Sequence, residues 1–154
     1  MLTSDLRQDP RLAVSIATGG RRQSAEFKLA CARMEAYEAE GVFPFGCFLD
    51  EQCAGVAALS RKLNPKYSHK VFFWGLYILR EFRGQSIGRR LMEHRIAFAR
   101  SLPGVRFVTL QVTTTNRQAR ALHQRFGFVS CGIEPQALQL NGKFYDFELM
   151  QLTL

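Results

Sequence analysis

Residues 76–92 read LYILREFRGQSIGRRLM, and this stretch decides how the rest of the chain is interpreted. Its first four residues end an apolar strand, and its last six begin a helix predicted over 87–102. The loop between them contains small residues, among them Gly84, Ser86 and Gly88. Backbone N–H groups at the start of a helix lack partners, and the helix dipole adds partial positive charge there. The stretch therefore predicts a site for a phosphate-bearing ligand.

Positive charge is concentrated in the same part of the chain. The 154 residues include 21 Lys and Arg and 13 Asp and Glu, which gives a formal net charge of +8. Half of that charge falls within residues 80–100, which contain two glutamates and six arginines, namely Arg80, Arg83, Arg89, Arg90, Arg95 and Arg100. A basic surface suits nucleic acid, an acidic membrane face or a phosphorylated small molecule. Clustering at one predicted helix N-terminus favours the small molecule, and we expect neither nucleic acid nor a membrane as a partner.

Composition and motifs exclude several other classes of protein. Hydrophobic residues make up 47% and charged residues 22% of the chain, a globular composition that predicts one domain over 1–154. The longest apolar run, 71–79, is far shorter than the ~20 residues of a membrane-spanning helix, and the first residues lack the order of a secretory signal, so we expect a cytoplasmic protein. The four cysteines form no C-x-x-C pair, so no metal site is predicted. Neither a P-loop motif nor a dinucleotide-binding G-x-G-x-x-G motif is present.

The pattern of apolar residues predicts an α/β fold with a mixed sheet. Strand–helix–strand units in the middle of the chain indicate parallel pairing, while the Asn141-Gly142 connection predicts an antiparallel hairpin. The apolar strand over 71–79 is expected to be central and buried on both faces. The predicted strands are 11–18, 42–49, 53–59, 71–79, 106–112, 131–140 and 143–152, and the predicted helices are 24–40, 87–102 and 116–126.

Two segments of this sequence resemble the GNAT superfamily of N-acetyltransferases. The first is 76–92, which is similar to the acetyl-CoA motif R/Q-x-x-G-x-G/A; Arg83, Ser86 and Gly88 hold its three defined positions, with a serine where the family prefers glycine. The second is LQVTTTNRQARALHQRFGF over 110–128, where the asparagine and the Gly-Phe pair match in register. The resemblance implies a single-domain GNAT-like α/β fold, with a mixed, mostly antiparallel sheet, a splayed central pair of strands and helices on both faces.

The same resemblance implies an activity. A GNAT-like enzyme transfers the acetyl group of acetyl-CoA to a primary amine of a small molecule or peptide by direct attack of the amine. In the family the pyrophosphate lies on the glycine-containing loop, and the pantetheine arm follows the central strand. The residues of this chain that the resemblance assigns to acetyl-CoA binding are Leu76, Tyr77, Ile78, Arg83, Gly84, Gln85, Ser86, Ile87, Gly88, Arg89 and Asn116.

Two residues stand at positions that carry catalysis in the family. His123 replaces a common tyrosine, and an imidazolium with an unperturbed pKa near ~6.5 could protonate a departing thiolate whose conjugate acid lies near ~8.5. Gln111 replaces a glutamate that serves some members as general base; its amide accepts no proton but can hydrogen-bond the substrate or a relay water. The base therefore stays open among His69, Tyr77, Glu81, Tyr145, Asp146 and Glu148.

Two other functions stay open at this level. An acyl-CoA-binding protein without efficient turnover is compatible with the departures at Gln111 and His123. A basic nucleic-acid-binding module is compatible with the net charge, but it would spread basic residues along one face among exposed aromatic rings. The sequence names no amine acceptor, and it leaves open whether the protein is a homodimer.

Overall fold

A computed structural model describes residues 12–16, 41–49 and 52–154 of the chain. The predicted helix over 24–40, and with it the prediction of helices on both faces of the sheet, lies outside these residues. The described elements follow the predicted order, and their bounds differ from the predicted ones by at most two residues. They are β1 (Leu12–Ile16), β2 (Val42–Leu49), β3 (Gln52–Arg61), β4 (Lys70–Ile78), α1 (Ile87–Ser101), β5 (Phe107–Thr113), α2 (Arg117–Arg125), β6 (Val129–Leu140) and β7 (Lys143–Thr153), with a 3-10 turn at Arg80–Phe82.

The described strands form one mixed sheet in the order β1-β2-β3-β4-β5-β7-β6. Its central pair, β4 and β5, is parallel because α1 carries the chain back across the sheet between them. Every other pair is antiparallel, which confirms the predicted mixed, mostly antiparallel sheet. The hairpin of β6 and β7 turns at Asn141 and Gly142, whose φ angles of 51° and 76° are those that this two-residue turn requires. No helix among the described residues is long and apolar enough to cross a membrane.

The core lies between α1 and the middle of the sheet. On α1, Leu91, Met92 and Ala99 are completely buried, and this face of the helix packs against β2, β3 and β4. Val71 and Phe73 meet it from β4 and are only 1% and 2% exposed. Helix α1 is thereby fixed against the strand whose end leads into its own N-terminus.

Strand β4 is buried along only half of its length. The sequence predicts burial on both faces over 71–79, but Trp74 is 46% exposed and Tyr77 is 54% exposed. The prediction is wrong for this second half, because β5 leaves β4 after Phe73 and removes the neighbour that would cover it. The place where the two strands part is the centre of the candidate site.

Candidate active site

The parallel strands β4 and β5 are hydrogen-bonded over only four residue pairs, from Lys70 with Phe107 to Phe73 with Leu110. Beyond that point β4 continues as residues 74–78, while residues 111–113 of β5 pair with β7 alone. The predicted splay of the central strands is therefore present. It opens a cleft into which backbone groups of β4 point without partners in β5.

A β-bulge lies at the place where the splay begins. Where the register of β3 and β4 shifts, Ala57 of β3 faces two residues of β4, Gly75 and Leu76. Gly75 has a φ of +66°, a left-handed conformation that side chains rarely adopt, and such a bulge bends its strand. The bent half still lies close to β3, because a Cβ on Gly55 would come within 2.6 Å of the Ile78 Cδ1 atom. Gly75 thus allows β4 to bend away from β5, and Gly55 allows the bent half to stay close to β3.

The loop after β4 folds back onto the strand. The Nε atom of Arg83 donates a hydrogen bond to the Ile78 carbonyl at 3.2 Å, and its guanidinium lies 5.9 Å from the centre of the Tyr77 ring. Arg83 therefore fixes the end of β4. Gly84, Gln85 and Ser86 follow it and are exposed.

Ser86 and the start of α1 form an N-terminus without a side-chain cap. Ser86 has φ 60° and ψ 15°, and its side chain makes no capping hydrogen bond. No acidic residue stands in the first turn of α1. At α2, by contrast, the Asn116 side chain accepts a hydrogen bond from the Ala119 N–H at 3.1 Å. The first N–H groups of α1, which belong to residues 87–89, thus have no capping acceptor among the described side chains.

Gly88 brings three elements together at the open end of the cleft. A Cβ placed on it would lie 3.7 Å from Leu122 Cδ2 of α2 and 4.0 Å from Ile78 Cγ1 of β4. Arg89, in contrast, turns along its own helix and forms an exposed ion pair with Glu93 at 2.8 Å. Of the residues assigned to acetyl-CoA, Leu76 to Ile78, the loop and Gly88 meet at one place, with α2 as a third wall.

His123 lies on α2 and is only 7% exposed. Its ring packs edge-on against Phe128 at 5.8 Å, and its buried Nδ1 atom has no hydrogen-bond partner within the described part of the chain. Burial, followed by the positive charge of Arg95, lowers the pKa of His123 to about 4. The ring is therefore neutral at neutral pH, whereas the predicted acid role requires an imidazolium.

Gln111 lies on the opposite face of the sheet from α1. Phe73 packs against α1 and is paired with Leu110, so the next side chain along β5, that of Gln111, points to the other face. It is exposed, and its Nε2 atom lies 3.5 Å from an oxygen of Glu134 on β6. A carboxylate from β6, which lies beyond β7 in the sheet, is thus held beside the position that β5 fills with an amide.

Two of the open candidates for the general base already have hydrogen-bond donors. Glu148 is buried on β7 and forms an ion pair with Arg120 of α2, whose hydrogen bond holds the pKa of that carboxyl below its usual range. Asp146 accepts a hydrogen bond from the Gln136 N–H at 2.8 Å. Gln111 is paired with Leu149, so alternation along β7 places both Asp146 and Glu148 on the face opposite to Gln111.

The sequence model of the acetyltransferase (GNAT) family matches residues 7–128. The chain belongs to this family. The matched range contains both sequence motifs, the splayed strands and α2, so the parts that form the cleft are those that the family shares.

The chain is also similar to individual acetyltransferases in sequence and in structure. A streptothricin acetyltransferase from Streptomyces lavendulae is 32% identical over 90 residues, which are 58% of this chain and 46% of that protein. The chain thus spans about half the length of the curated relative that it matches. Ribosomal-protein-alanine N-acetyltransferase from Brucella melitensis superposes with a TM-score of 0.73 at 25% identity, over 83% of this chain and 78% of that one. A putative acetyltransferase from Salmonella typhimurium, solved with its cofactor acetyl-CoA, gives a TM-score of 0.72 at 21% identity, over 85% and 75%.

The six arginines that the sequence places together are separated in this GNAT chain. Arg95 is 1% exposed and lies in the core, and Arg100 is in the last turn of α1. At a rise of 1.5 Å per residue they lie about 12 Å and about 20 Å along the helix from Ile87. The expectation that both serve the loop is wrong. The lysine-rich segment 61–70 is distant from the loop as well. It leads into the first residue of β4, about 26 Å from Ile78 at the other end of that strand.

Two residues at or beside the candidate site were not indicated by the sequence, Glu134 and Arg95. Glu134 gave no signal, because its approach to Gln111 depends on the pairing of both residues' strands with β7. Arg95 gave a misleading signal, because a charged residue between Met92 and Ile96 is ordinarily solvent-exposed. The sequence did contain a signal for burial. Arg95 lies three residues after Met92 and four residues before Ala99, which places it on the buried face of the helix.

Proposed function

We propose that the chain is an N-acetyltransferase that moves the acetyl group of acetyl-CoA to a primary amine of a small molecule or peptide by direct attack. The observation that carries the proposal is the splay of β4 from β5 beside the uncapped N-terminus of α1. The names of two similar proteins, a streptothricin acetyltransferase and a ribosomal-protein-alanine N-acetyltransferase, support an amine acceptor. The likeness to a structure solved with acetyl-CoA supports the cosubstrate.

The described residues fit a pyrophosphate and a thioester arm. N–H groups of residues 87–89 offer donors to phosphate oxygens at the positive end of α1. Backbone groups of residues 76–78 that face away from β3 offer donors and acceptors along the cleft, since β5 does not pair with them, except for the Ile78 carbonyl, which accepts from Arg83. N–H groups near Tyr77 and Ile78 are suited to stabilise the oxyanion that develops on the acetyl carbonyl. A bond forms between the amine nitrogen and the acetyl carbon, the carbon–sulfur bond breaks, and CoA leaves as a thiolate.

The acceptor amine approaches, in this proposal, on the Gln111 face. The Glu134 carboxylate beside Gln111 attracts a cationic amine, and the amide orients it or a water that takes its proton. The neutral His123 ring lies on the α2 side of the cleft. There it serves as a hydrogen-bond donor to the thiolate, and the thiolate takes its proton from solvent.

Acetyl-CoA titration followed by a CoA-release assay with a panel of peptide and small-molecule amines tests the function. We expect binding and release with at least one primary amine. Binding without release for any amine would support an acyl-CoA-binding protein instead, and absence of binding would contradict the proposal.

The loop position is tested by Gln85→Glu, which adds a negative charge at the exposed loop without changing side-chain size. Repulsion of about 1 kcal/mol between this charge and a phosphate is expected to raise the KM for acetyl-CoA about fivefold. Gln139→Glu makes the same change on the exposed strand β6 and is expected to leave that KM unchanged. Equal effects of the two substitutions would remove the loop from the cosubstrate site.

The role of His123 is tested by comparing His123→Gln with His123→Phe in pH–rate profiles between pH 6 and pH 9. A neutral donor predicts that the glutamine variant retains more activity than the phenylalanine variant, with no limb of the wild-type profile lost in either. A wild-type limb with an apparent pKa near the imidazole range that disappears in His123→Gln would restore the acid role.

A further inference from the structure

Arg95 is an arginine in the interior of the protein that no sequence motif explains. It is 1% exposed, and no carboxylate among the described residues forms an ion pair with it. Burial lowers its pKa to about 9, which is still above neutrality, so the guanidinium stays charged. A buried charge without a counter-ion is retained only where other polar groups stabilise it.

The polar contacts of Arg95 lead to two strands. Its Nη1 atom donates hydrogen bonds to the Ala58 carbonyl at 3.1 Å and to the Trp74 carbonyl at 3.3 Å. Its Nη2 atom lies 2.8 Å from the Met92 sulfur, and the guanidinium stacks on the Phe73 ring at 4.4 Å from its centre. One side chain of α1 thus ties β3 and β4 together.

The two carbonyls belong to the residues at which the cleft begins. Ala58 and Trp74 face each other as the last regular pair before the β-bulge, and Trp74 is also the first residue of β4 without a partner in β5. A buried carbonyl at such a point lacks the donor that a continuous ladder would supply. Arg95 supplies that donor from α1, at Trp74, where the direction of β4 changes.

We propose that Arg95 is a positioning residue for acetyl transfer: its guanidinium holds the bulge of β4 and thereby fixes the width of the cleft that takes the thioester arm of acetyl-CoA. The kinetic part of this inference rests on the proposed function. Arg95 does not touch the substrate, and it acts through the backbone of residues 74–76. Its charge also acts on His123, whose ring it keeps neutral together with burial.

The test compares Arg95→Met, which removes the charge and both carbonyl bonds, with Arg95→Lys, which keeps a charge and one flexible donor. Because the cleft that takes the thioester arm would lose its fixed width, we expect Arg95→Met to raise the KM for acetyl-CoA about tenfold, which corresponds to about 1.4 kcal/mol of lost binding free energy. The KM for the amine should stay within about twofold, since its face of the sheet is not held by Arg95. Arg95→Lys should recover part of the loss. Arg100→Met, an exposed change on the same helix, is the matched control and should behave as wild type.

Two spectroscopic measurements separate this role from a general loss of stability. Amide hydrogen exchange at residues 74–76 should become faster in Arg95→Met, while exchange in the β6–β7 hairpin stays unchanged. The pKa of His123, followed by NMR, should rise in Arg95→Met and stay low in Arg95→Lys. Wild-type acetyl-CoA affinity together with unchanged exchange at 74–76 in Arg95→Met would overturn the inference.

The inference stays testable in two further situations. If Arg95→Met does not fold, Arg95→Gln removes the charge while keeping a polar amide, and the same increases in exchange and in the KM for acetyl-CoA are expected. If the wild-type protein does not bind acetyl-CoA, the proposed function fails, but exchange at 74–76 still decides whether Arg95 holds the bulge.

Discussion

Ser86 stands where the family motif prefers glycine, and this departure is expected to lower the free energy of unfolding. The position adopts a left-handed backbone, and a residue with a Cβ is disfavoured there by roughly 1–2 kcal/mol. This is the physical reason for the glycine that the motif prefers. The serine hydroxyl makes no capping bond in return.

We therefore expect Ser86→Gly to increase the free energy of unfolding by about 0.5–1 kcal/mol, because relief of strain exceeds the greater chain entropy of glycine. Gly84→Ala should decrease it by about 1 kcal/mol, because Gly84 has a φ of +80° and no atom within 4 Å with which a methyl group could pack. Urea unfolding of both variants beside the wild type measures the two shifts. A lower midpoint for Ser86→Gly would contradict the strain argument.

At the scale of elements, strands β5, β7 and β6 bring a carboxylate to the acceptor face. The chain separates Gln111 and Glu134 by 23 positions, and their side chains meet only because β7 lies between their strands and places both on one face. At the position on β5 where some family members have a glutamate as general base, this chain has the amide of Gln111. Strand β6, on the other side of β7, supplies a carboxylate.

We expect Glu134→Gln to raise the KM for a cationic amine about three- to fivefold, which corresponds to loss of about 1 kcal/mol of attraction. The KM for acetyl-CoA should not change, because the cosubstrate residues lie at the α1 end of the cleft. Gln111→Glu is the complementary variant and should lower the KM for the amine. Steady-state kinetics with both substrates varied measure these effects, and an equal rise in both KM values for Glu134→Gln would argue against an acceptor-side role.

The order of elements was predictable because each has a local signal. Strand and helix periodicity, the Asn141-Gly142 turn and the small-residue loop before α1 are all local properties of the chain, and each predicted the element that the structure contains. The second half of β4 was not predictable in this way. Its apolar residues resemble those of a buried strand, whereas its exposure depends on a partner strand that leaves it.

The site was predictable where it depends on backbone and was missed where it depends on distant contacts. The small-residue loop that the sequence singled out leads to Gly88, which lies near Ile78 and Leu122 at the open end of the cleft. The neutral state of His123 follows from burial on α2 and from the charge of Arg95, and neither is visible in the sequence around position 123. The protonation state of His123 therefore depends on long-range contacts, whereas the order of the described elements follows from local sequence patterns.

For the molecule as a whole, buried histidines couple stability to pH. The folded pKa of His123 is about 4, below the ordinary value of 6.5, so as pH falls the unfolded chain binds the proton first. The contribution of His123 to the free energy of unfolding should therefore fall by up to about 3 kcal/mol between about pH 6.5 and pH 4, and this contribution should level off below pH 4. His94, whose pKa burial also lowers, adds to the loss in the same direction.

Chemical unfolding at a series of pH values checks this expectation. His123→Phe should flatten the curve between pH 6.5 and pH 4, because the proton that the unfolded wild type binds there is absent. A curve of the same slope in the variant would assign the acid sensitivity to other groups.

The way in which the β4 bulge is held has a consequence for divergence. Arg95 reaches the Ala58 and Trp74 carbonyls from a helix, so in this proposal the opening does not depend on the side chains of Trp74, Leu76 and Tyr77, whereas Gly75 has to be kept for its φ of +66°. Those side chains are free to be exchanged while the backbone keeps its course. A library confined to these positions offers a route to acceptance of longer acyl groups, and a lineage carrying this arginine can change its donor preference without rebuilding the sheet.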